Sequence, residues 1–160
     1  GGGGGPTTTA GASSEEKSSS PHLTEDEMKS LVMETWAKVE PMAEHATKIF
    51  YRLLREADEA ANALFEDVDM EAQEGKLAST LGVAVKGLGD LESLVPVLED
   101  LAVRHVDYGV TKEMYASVGS CLLKTLEAGL DKDWTPDVKE SWTWVYTLMA
   151  DVMTKKAYPP

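Results

Sequence analysis

The chain has 160 residues, a length typical of one domain, and a domain of this size buries roughly two-thirds of its unfolded surface, which leaves room for a ligand in the core. The formal net charge is −13 and no apolar run approaches the roughly 20 residues that cross a bilayer, so neither nucleic acid nor a membrane is expected as a partner. Cys121 is the only cysteine, which excludes an intramolecular disulfide and a thiolate metal cluster and predicts a reducing, cytoplasmic location.

The N-terminal segment differs in composition from the rest of the chain. Residues 1–22 are mostly Gly, Thr, Ser and Pro and contain no aromatic or aliphatic β-branched residue. Such a segment cannot bury enough apolar surface to offset the loss of chain entropy, so we predict a disordered tail over 1–22 and one folded domain over 23–160. With no apolar centre and no Arg, the tail resembles neither a secretory signal nor a typical transit peptide.

From Thr24 onward apolar residues recur at helical spacing and no stretch alternates as a strand would, which predicts an all-α fold. Thr24 and Glu27 have the spacing of a capping box at the start of a first helix. Pro41 favours the first turn of a second helix, whose predicted core residues include Phe50. A short helical segment near Leu64 follows.

Four more helices are predicted in the second part of the chain. A long helix runs from about Met70 to Leu88, and the next helix ends near Tyr108. Thr111 is placed to cap the following helix and Gly129 to end it. The pair Thr135-Pro136 then starts the last helix. The prediction is six long helices and a short one, an irregular helical globule and not a coiled coil.

His105 occupies a position where an amphipathic helix would carry an aliphatic side chain. The predicted apolar face contains residues spaced by three and four, namely Leu94, Val97, Leu98 and Leu101. His105 follows Leu101 by four on the same face. An imidazole aimed into a core needs a partner, so it is either a core histidine satisfied by hydrogen bonds or a metal ligand, because neutral imidazole is the commonest protein ligand of iron, zinc and copper.

The other two histidines are poorly placed for binding a metal. His22 lies at the boundary of the predicted tail, and His45 lies among polar neighbours. Zinc needs about three or four protein ligands and therefore fits badly. A haem fits better, since it brings most of its own donors and needs one protein ligand on one side.

A haem pocket needs polar groups on the wall opposite His105, and two residues are candidates. Gln73 precedes Leu77 by four on the long helix, so it shares a face with aliphatic side chains. Tyr51 adjoins Phe50 on the second helix. Taken singly, each also fits an ordinary role, a solvated Gln and a half-buried Tyr with its hydroxyl in water.

Several motifs, in this order and spacing, resemble those of the globin family over about residues 24–157. They are Phe50-Tyr51, Leu64-Phe65, Gln73-Glu74-Gly75-Lys76-Leu77 with Leu81-Gly82, the run from Arg104 to Val110, the run from Tyr115 to Gly119, and Ser141-Trp142 with Tyr146. Within that family the chain resembles single-domain relatives of bacterial flavohaemoglobins and, more distantly, neuroglobins. The resemblance implies the globin fold, a three-over-three helical sandwich.

The same resemblance implies that the chain binds haem b, iron protoporphyrin IX, with His105 as the proximal iron ligand. Tyr51 and Gln73 would donate hydrogen bonds to bound dioxygen, each charge-assisted bond contributing roughly 1.5–3 kcal/mol. The other implied haem contacts are Phe65 as an aromatic wedge, Lys76 toward a propionate, Leu77 in the distal wall, and Leu101, Arg104, Tyr108, Val110 and Tyr115.

The implied function is oxygen transport through high-affinity, reversible binding of dioxygen, with nitric oxide and carbon monoxide as further ligands and with the capacity to convert nitric oxide to nitrate. Two alternatives stay open. One is a main role in nitric oxide dioxygenation or peroxide chemistry, and the other is a domain that holds no haem or uses it only to report gas or redox state, with the tail contacting a partner. The chain ends at Pro160 without a flavin or nicotinamide domain, so a separate reductase is expected. A monomer or weak homodimer is expected.

One departure from the family pattern concerns the proximal side. In flavohaemoglobins a tyrosine like Tyr115 pairs with a glutamate late in the last helix, whereas the matching stretch here is Thr154-Lys155-Lys156. A proximal imidazole strengthened by such a carboxylate is therefore not implied for this chain.

Overall fold

The computed structural model describes residues 22–160, and this part of the chain is helical without any strand. The α-helices are α1 Glu25–Val39, α2 Ala43–Ala57, α3 Glu59–Ala63, α4 Met70–Lys86, α5 Leu91–Asp107, α6 Met114–Leu130 and α7 Pro136–Ala157, with 3₁₀ turns at Glu40–Met42, Gly87–Gly89 and Asp131–Asp133. The predicted six long helices and one short helix are confirmed. The predicted tail lies outside the described residues apart from His22, whose Nε2 is 2.8 Å from Asp137 Oδ1.

Side chains cap most of the helices. The predicted capping box of α1 is confirmed, since Glu27 N–H donates to Thr24 Oγ1 at 3.1 Å and Thr24 N–H donates to the Glu27 carboxylate at 2.9 Å. The predicted start of α7 is also confirmed, with Val138 N–H bound to Thr135 Oγ1 at 3.2 Å. Three further caps were not predicted and are aspartates that precede α3, α4 and α5, namely Asp58, Asp69 and Asp90. Each such cap contributes about 1 kcal/mol.

Three predicted helix boundaries are wrong by one to three residues. Thr111 does not cap α6, because its backbone carbonyl accepts the Met114 N–H at 3.1 Å in a turn that precedes the helix. Gly129 lies inside α6, which ends one residue later because Asp131 takes a positive φ of 50°. Pro41 lies in the 3₁₀ turn that precedes α2 and not in α2 itself.

The long helices pack in crossing pairs that form the three-over-three sandwich of the globin fold. Helices α1 and α5 both pack on α7, and α2 packs on α4 and α6. At the α1–α7 contact the fully buried Trp142 donates its indole N–H to Thr35 Oγ1 at 2.8 Å. Thr35 in turn donates to the Leu31 carbonyl at 2.6 Å, so the polar atoms at the centre of this contact are paired.

The buried face of α5 differs from the predicted one. Its buried residues are Leu94, Leu98 and Ala102, spaced by four, whereas Val97 is 44% exposed. A spacing of four keeps the buried residues on one narrow face against α7, and Val97 falls outside that face. Among the described residues, none of the helices combines the length and apolar character that a membrane crossing requires.

Candidate functional site

A cavity of about 690 Å³ lies between α2, α4, α5, α6 and α7. Of the residues that the sequence placed at a haem, the following ten line it: Tyr51, Gln73, Lys76, Leu77, Leu101, Arg104, His105, Tyr108, Val110 and Tyr115. These residues come from four helices and one loop, so the fold brings together positions that are far apart in the chain. Their roles toward a cofactor stay a prediction.

His105 lies near the C-terminal end of α5 with its ring half-buried. Its Nδ1 is 2.8 Å from the Leu101 carbonyl, which can only accept, so Nδ1 carries the hydrogen and Nε2 is the nitrogen with a free lone pair. Burial lowers the pKa of His105, and the hydrogen bond to Leu101 opposes this effect. A neutral imidazole that donates through one nitrogen to a backbone carbonyl is the form in which histidine binds metals.

The end of α5 is fixed by a tight turn that follows His105 by a few residues. Gly109 has a φ of +94°, which a residue with a side chain rarely adopts, and the Val110 N–H donates to the His105 carbonyl at 2.9 Å. The hydrogen bond completes the last turn of the helix and holds the backbone of His105.

Tyr51 on α2 and Gln73 on α4 form a hydrogen-bonded pair in the lining of the same cavity. The Gln73 amide Nε2 donates to the Tyr51 hydroxyl oxygen at 3.0 Å, and the Tyr51 side chain is only 6% exposed. Because the oxygen accepts from Gln73, the hydrogen of the hydroxyl is free to point to another acceptor. Burial raises the pKa of Tyr51, with the Gln73 hydrogen bond opposing, so the hydroxyl is a protonated donor at neutral pH.

Phe65 is the one predicted site residue that does not line the cavity. Its ring packs edge-to-face on Tyr51 with the ring centroids 5.3 Å apart, in the turn that follows α3. On the other side Phe50 packs edge-to-face on the same ring at 5.0 Å. Phe65 and Phe50 together restrict the orientation of the Tyr51 ring. The expected contact of Phe65 with a haem stays a prediction.

Tyr115 lies beside His105, with ring centroids 6.3 Å apart. Its hydroxyl is buried and has no hydrogen-bond partner among residues 22–160, and burial, followed by the nearby Tyr158, raises the pKa of Tyr115 to about 12. Tyr158 packs edge-to-face on Tyr115 at 6.5 Å and donates its own hydroxyl to the Val110 carbonyl. Thr154 lies in the stretch where flavohaemoglobins have the glutamate, and its hydroxyl donates within α7 to the Ala150 carbonyl. This stretch therefore offers Tyr115 no acceptor.

Two cationic side chains stand at the exposed rim of the cavity, Lys76 on α4 and Arg104 on α5. Such positions suit the carboxylates of a haem, whose porphyrin would lie in the apolar interior. Within residues 22–160, no three His, Cys, Asp or Glu side chains are grouped closely enough to hold a metal ion without a porphyrin. One neutral histidine, an apolar cavity and a cationic rim fit a haem.

The sequence analysis assigned no cofactor contact to several residues that line the cavity. They are Phe50, Ala84, Leu98, Val118, Leu122, Tyr146, Met149 and Met153. Their helical spacing indicated burial, but burial against protein and burial against a cofactor leave the same pattern in a sequence. The crossing of the helices decides between the two.

Comparison with known proteins agrees with this geometry. The globin family model matches residues 47–153, and the chain belongs to the globin family, a class of haem-binding proteins. Among curated proteins it is similar to the flavohemoprotein of Oceanobacillus iheyensis, 26% identical over 132 residues that cover 81% of this chain and 32% of that protein. The flavohemoproteins of Bordetella parapertussis and Halalkalibacterium halodurans are 28% and 29% identical, over 79% and 82% of this chain and 32% and 33% of their own lengths. The chain therefore spans about a third of the length of these relatives.

Proposed function

We propose that this globin binds haem b through His105 and binds dioxygen reversibly with high affinity. The observation that supports this most directly is one cavity with a neutral histidine in one wall and a buried tyrosine hydroxyl in another, its hydrogen free. Bound haem would supply the iron to which dioxygen, nitric oxide or carbon monoxide coordinates.

The residues of the chain would have separate tasks. The hydrogen bond that His105 Nδ1 donates to the Leu101 carbonyl orients the His105 ring, and Gln73 orients the Tyr51 hydroxyl, which makes it a fixed donor toward a ligand. Leu77 gives the same wall an apolar lining that excludes water. A fixed donor in a dry site strengthens a hydrogen bond to a partly charged ligand, which favours slow release of dioxygen.

A second candidate is dioxygenation of nitric oxide to nitrate, supported by the flavohemoprotein relatives and by the Tyr51–Gln73 pair. Dioxygen, nitric oxide and one electron from the bound haem would give nitrate, so the haem would have to be reduced again after each turnover. A reductase, on another protein or on another part of a longer chain, would have to return that electron. The rate at which this reductase returns the electron would limit the turnover of nitric oxide, and a slow rate would favour dioxygen carriage.

The central test replaces the proposed iron ligand. Purified protein loaded with haem should show a Soret band, His105→Gly should lose the iron–imidazole spectrum, and added free imidazole should restore it, because the small base can occupy the vacated site. His45→Ala is the matched control, since His45 is exposed on α2 and should leave the spectrum unchanged. An unchanged spectrum in His105→Gly, or no haem uptake by the parent protein, would refute the proposal.

We also propose a cytoplasmic protein that is a monomer or weak homodimer. The single cysteine, Cys121, is buried, and the net charge of −13 makes two copies repel each other. Sedimentation velocity at physiological salt would detect a stable dimer and so contradict the second part.

A further inference from the structure

Tyr51 borders a second cavity of about 440 Å³, which we call the outer basin. One wall is a face of α2 that presents three cations at spacings of four and three, namely Lys48, Arg52 and Arg55. Opposite this face are Asn62, Met70 and Glu74. Tyr51 is therefore shared by the interior cavity and by a surface depression.

Two of the three cations have carboxylate partners. Lys48 Nζ is 2.9 Å from Glu74 Oε1, whereas Arg52 Nε is 3.8 Å from Glu56 Oε1, a looser contact between exposed side chains. Exposed pairs of the second kind contribute little and separate easily. The outer basin is lined by three cationic and two acidic side chains, and Glu74, together with Glu44 and Glu71 nearby, raises the pKa of Lys48, so the cation of this lining without a carboxylate partner is Arg55.

Arg55 has no carboxylate at ion-pair distance within the described part of the chain. Its Nε donates to Asn62 Oδ1 at 2.8 Å, which orients the guanidinium and leaves its two terminal nitrogens as donors. A planar guanidinium with two free nitrogens matches a planar oxyanion, which can accept two parallel hydrogen bonds.

We infer that the outer basin binds a small monovalent oxyanion of the nitrate type. The identity of the anion rests on the proposed conversion of nitric oxide to nitrate. An anion formed in the apolar cavity is destabilised there, because burying an unpaired charge is costly. The outer basin offers the oriented guanidinium of Arg55 and borders the same Tyr51 as the cavity. The remaining cations near the cavity, Lys76 and Arg104, are at the rim that suits the haem carboxylates.

An anion in the outer basin would also act on the link between α2 and α4. Lys48 precedes Tyr51 by one helical turn and Glu74 follows Gln73, so the ion pair and the tyrosine–glutamine hydrogen bond join the same two helices side by side. Nitrate near Lys48 competes with Glu74 for the ammonium group. Binding is therefore expected to perturb the backbone at Gln73 as well as at the basin itself.

The experiment titrates the haem-loaded protein, in its diamagnetic ferrous carbon monoxide form, with sodium nitrate and follows backbone amide shifts by NMR. Sodium chloride at equal ionic strength is the reference, because it screens charges without a planar oxyanion. We expect saturable shifts at Arg55, Asn62 and Gln73 with an affinity on the order of millimolar, since the site is open to solvent. Arg55→Gln should weaken nitrate binding about 3- to 10-fold, whereas Lys139→Gln, an exposed cation on α7, should not.

Equal shifts with chloride and nitrate, or equal losses in Arg55→Gln and Lys139→Gln, would show general screening and overturn the inference. Nitrate formation from dioxygen and nitric oxide is measured separately by stopped flow. Binding in the outer basin without nitrate formation would refute the proposed dioxygenation and leave the anion site supported. Nitrate formation without binding would overturn the anion site alone.

Discussion

Tyr51 is held on three sides, by Phe50, by Phe65 and by the Gln73 amide, and its hydroxyl hydrogen is free. A side chain with so little freedom loses little entropy when it donates to a ligand. Gln73 also polarises the hydroxyl, because a group that accepts a hydrogen bond becomes a better donor. The donor strength of this site is therefore a property of the four side chains together.

Tyr51→Phe removes the donor and keeps the ring packing. We expect dioxygen to dissociate about 10- to 100-fold faster, since a charge-assisted hydrogen bond contributes roughly 1.5–3 kcal/mol. The rate is measured by displacing dioxygen with carbon monoxide in a stopped-flow instrument. His45→Ala is the control, because His45 is exposed on α2 and does not line the cavity. If both variants release dioxygen as the parent does, the role assigned to Tyr51 is wrong.

The Tyr115 hydroxyl differs from that of Tyr51, because it is buried from water and has no hydrogen-bond partner within residues 22–160. Tyr115→Phe should leave the free energy of unfolding unchanged or raise it by up to about 1 kcal/mol, because the phenyl ring has no polar group to desolvate. Tyr146→Phe should lower it by about 1 kcal/mol, because the Tyr146 hydroxyl donates to the Tyr115 carbonyl at 2.5 Å.

Both variants are compared by urea unfolding of the protein without haem, since a ligand that binds only the folded state would hide the difference. A loss of more than about 1 kcal/mol in Tyr115→Phe would mean that its hydroxyl has a hydrogen-bond partner after all.

At the scale of helices, α6 and α7 approach closely where Gly119 faces Tyr146. A Cβ at position 119 would lie 2.6 Å from Tyr146 Cε2, so either the Tyr146 ring or the two helices would have to move. Tyr146 also lines the interior cavity and holds the start of α6 through the Tyr115 carbonyl. Gly119 on α6 thus leaves the space in which the Tyr146 ring lines the cavity.

Gly119→Ala should lower the free energy of unfolding by about 1–3 kcal/mol through this clash, against the stabilisation that alanine normally gives a helix. Gly129→Ala, in the same helix, is the matched control, because its Cβ would be 3.6 Å from Met42 Sδ, an ordinary contact. That variant should be neutral or stabilising by up to about 1 kcal/mol. Equal effects of the two substitutions in urea unfolding would contradict the close contact between α6 and α7.

At the scale of the whole molecule the dominant feature is charge. The chain has 28 acidic and 15 basic residues, and like charges on one compact surface repel one another. Most ion pairs among residues 22–160 join partly exposed side chains and contribute little. The folded state therefore carries an electrostatic cost that salt should relieve.

Raising sodium chloride from about 10 mM to about 500 mM shortens the Debye length from about 30 Å to less than 8 Å and should raise Tm. Each 1 kcal/mol of relieved repulsion corresponds to about 2–4 °C for a chain of this size. Calorimetry or circular dichroism gives Tm, and chloride is preferred to sulfate, which also strengthens apolar burial. A Tm that falls with salt would show that attractive ion pairs outweigh the repulsion.

Much of the fold could be predicted because its signals are local. The capping box at Thr24, the start of α7 at Thr135 and the helical periodicity each involve residues within a few positions of one another. The errors occurred where a distant or backbone effect competes with such a signal. Thr111 is held in a turn before α6, and Val97 is turned away from the face that α7 covers.

The amino-acid sequence alone determined the all-α class, the number of helices and the singular position of His105, since these depend on spacing along one chain. Only the tertiary structure decided that Gln73 donates to Tyr51 across 22 positions, that Tyr115 lacks an acceptor, and that Tyr51 separates the cavity from the outer basin. Helix crossings set these contacts, and crossings depend on the packing of all side chains at once, which no local pattern specifies.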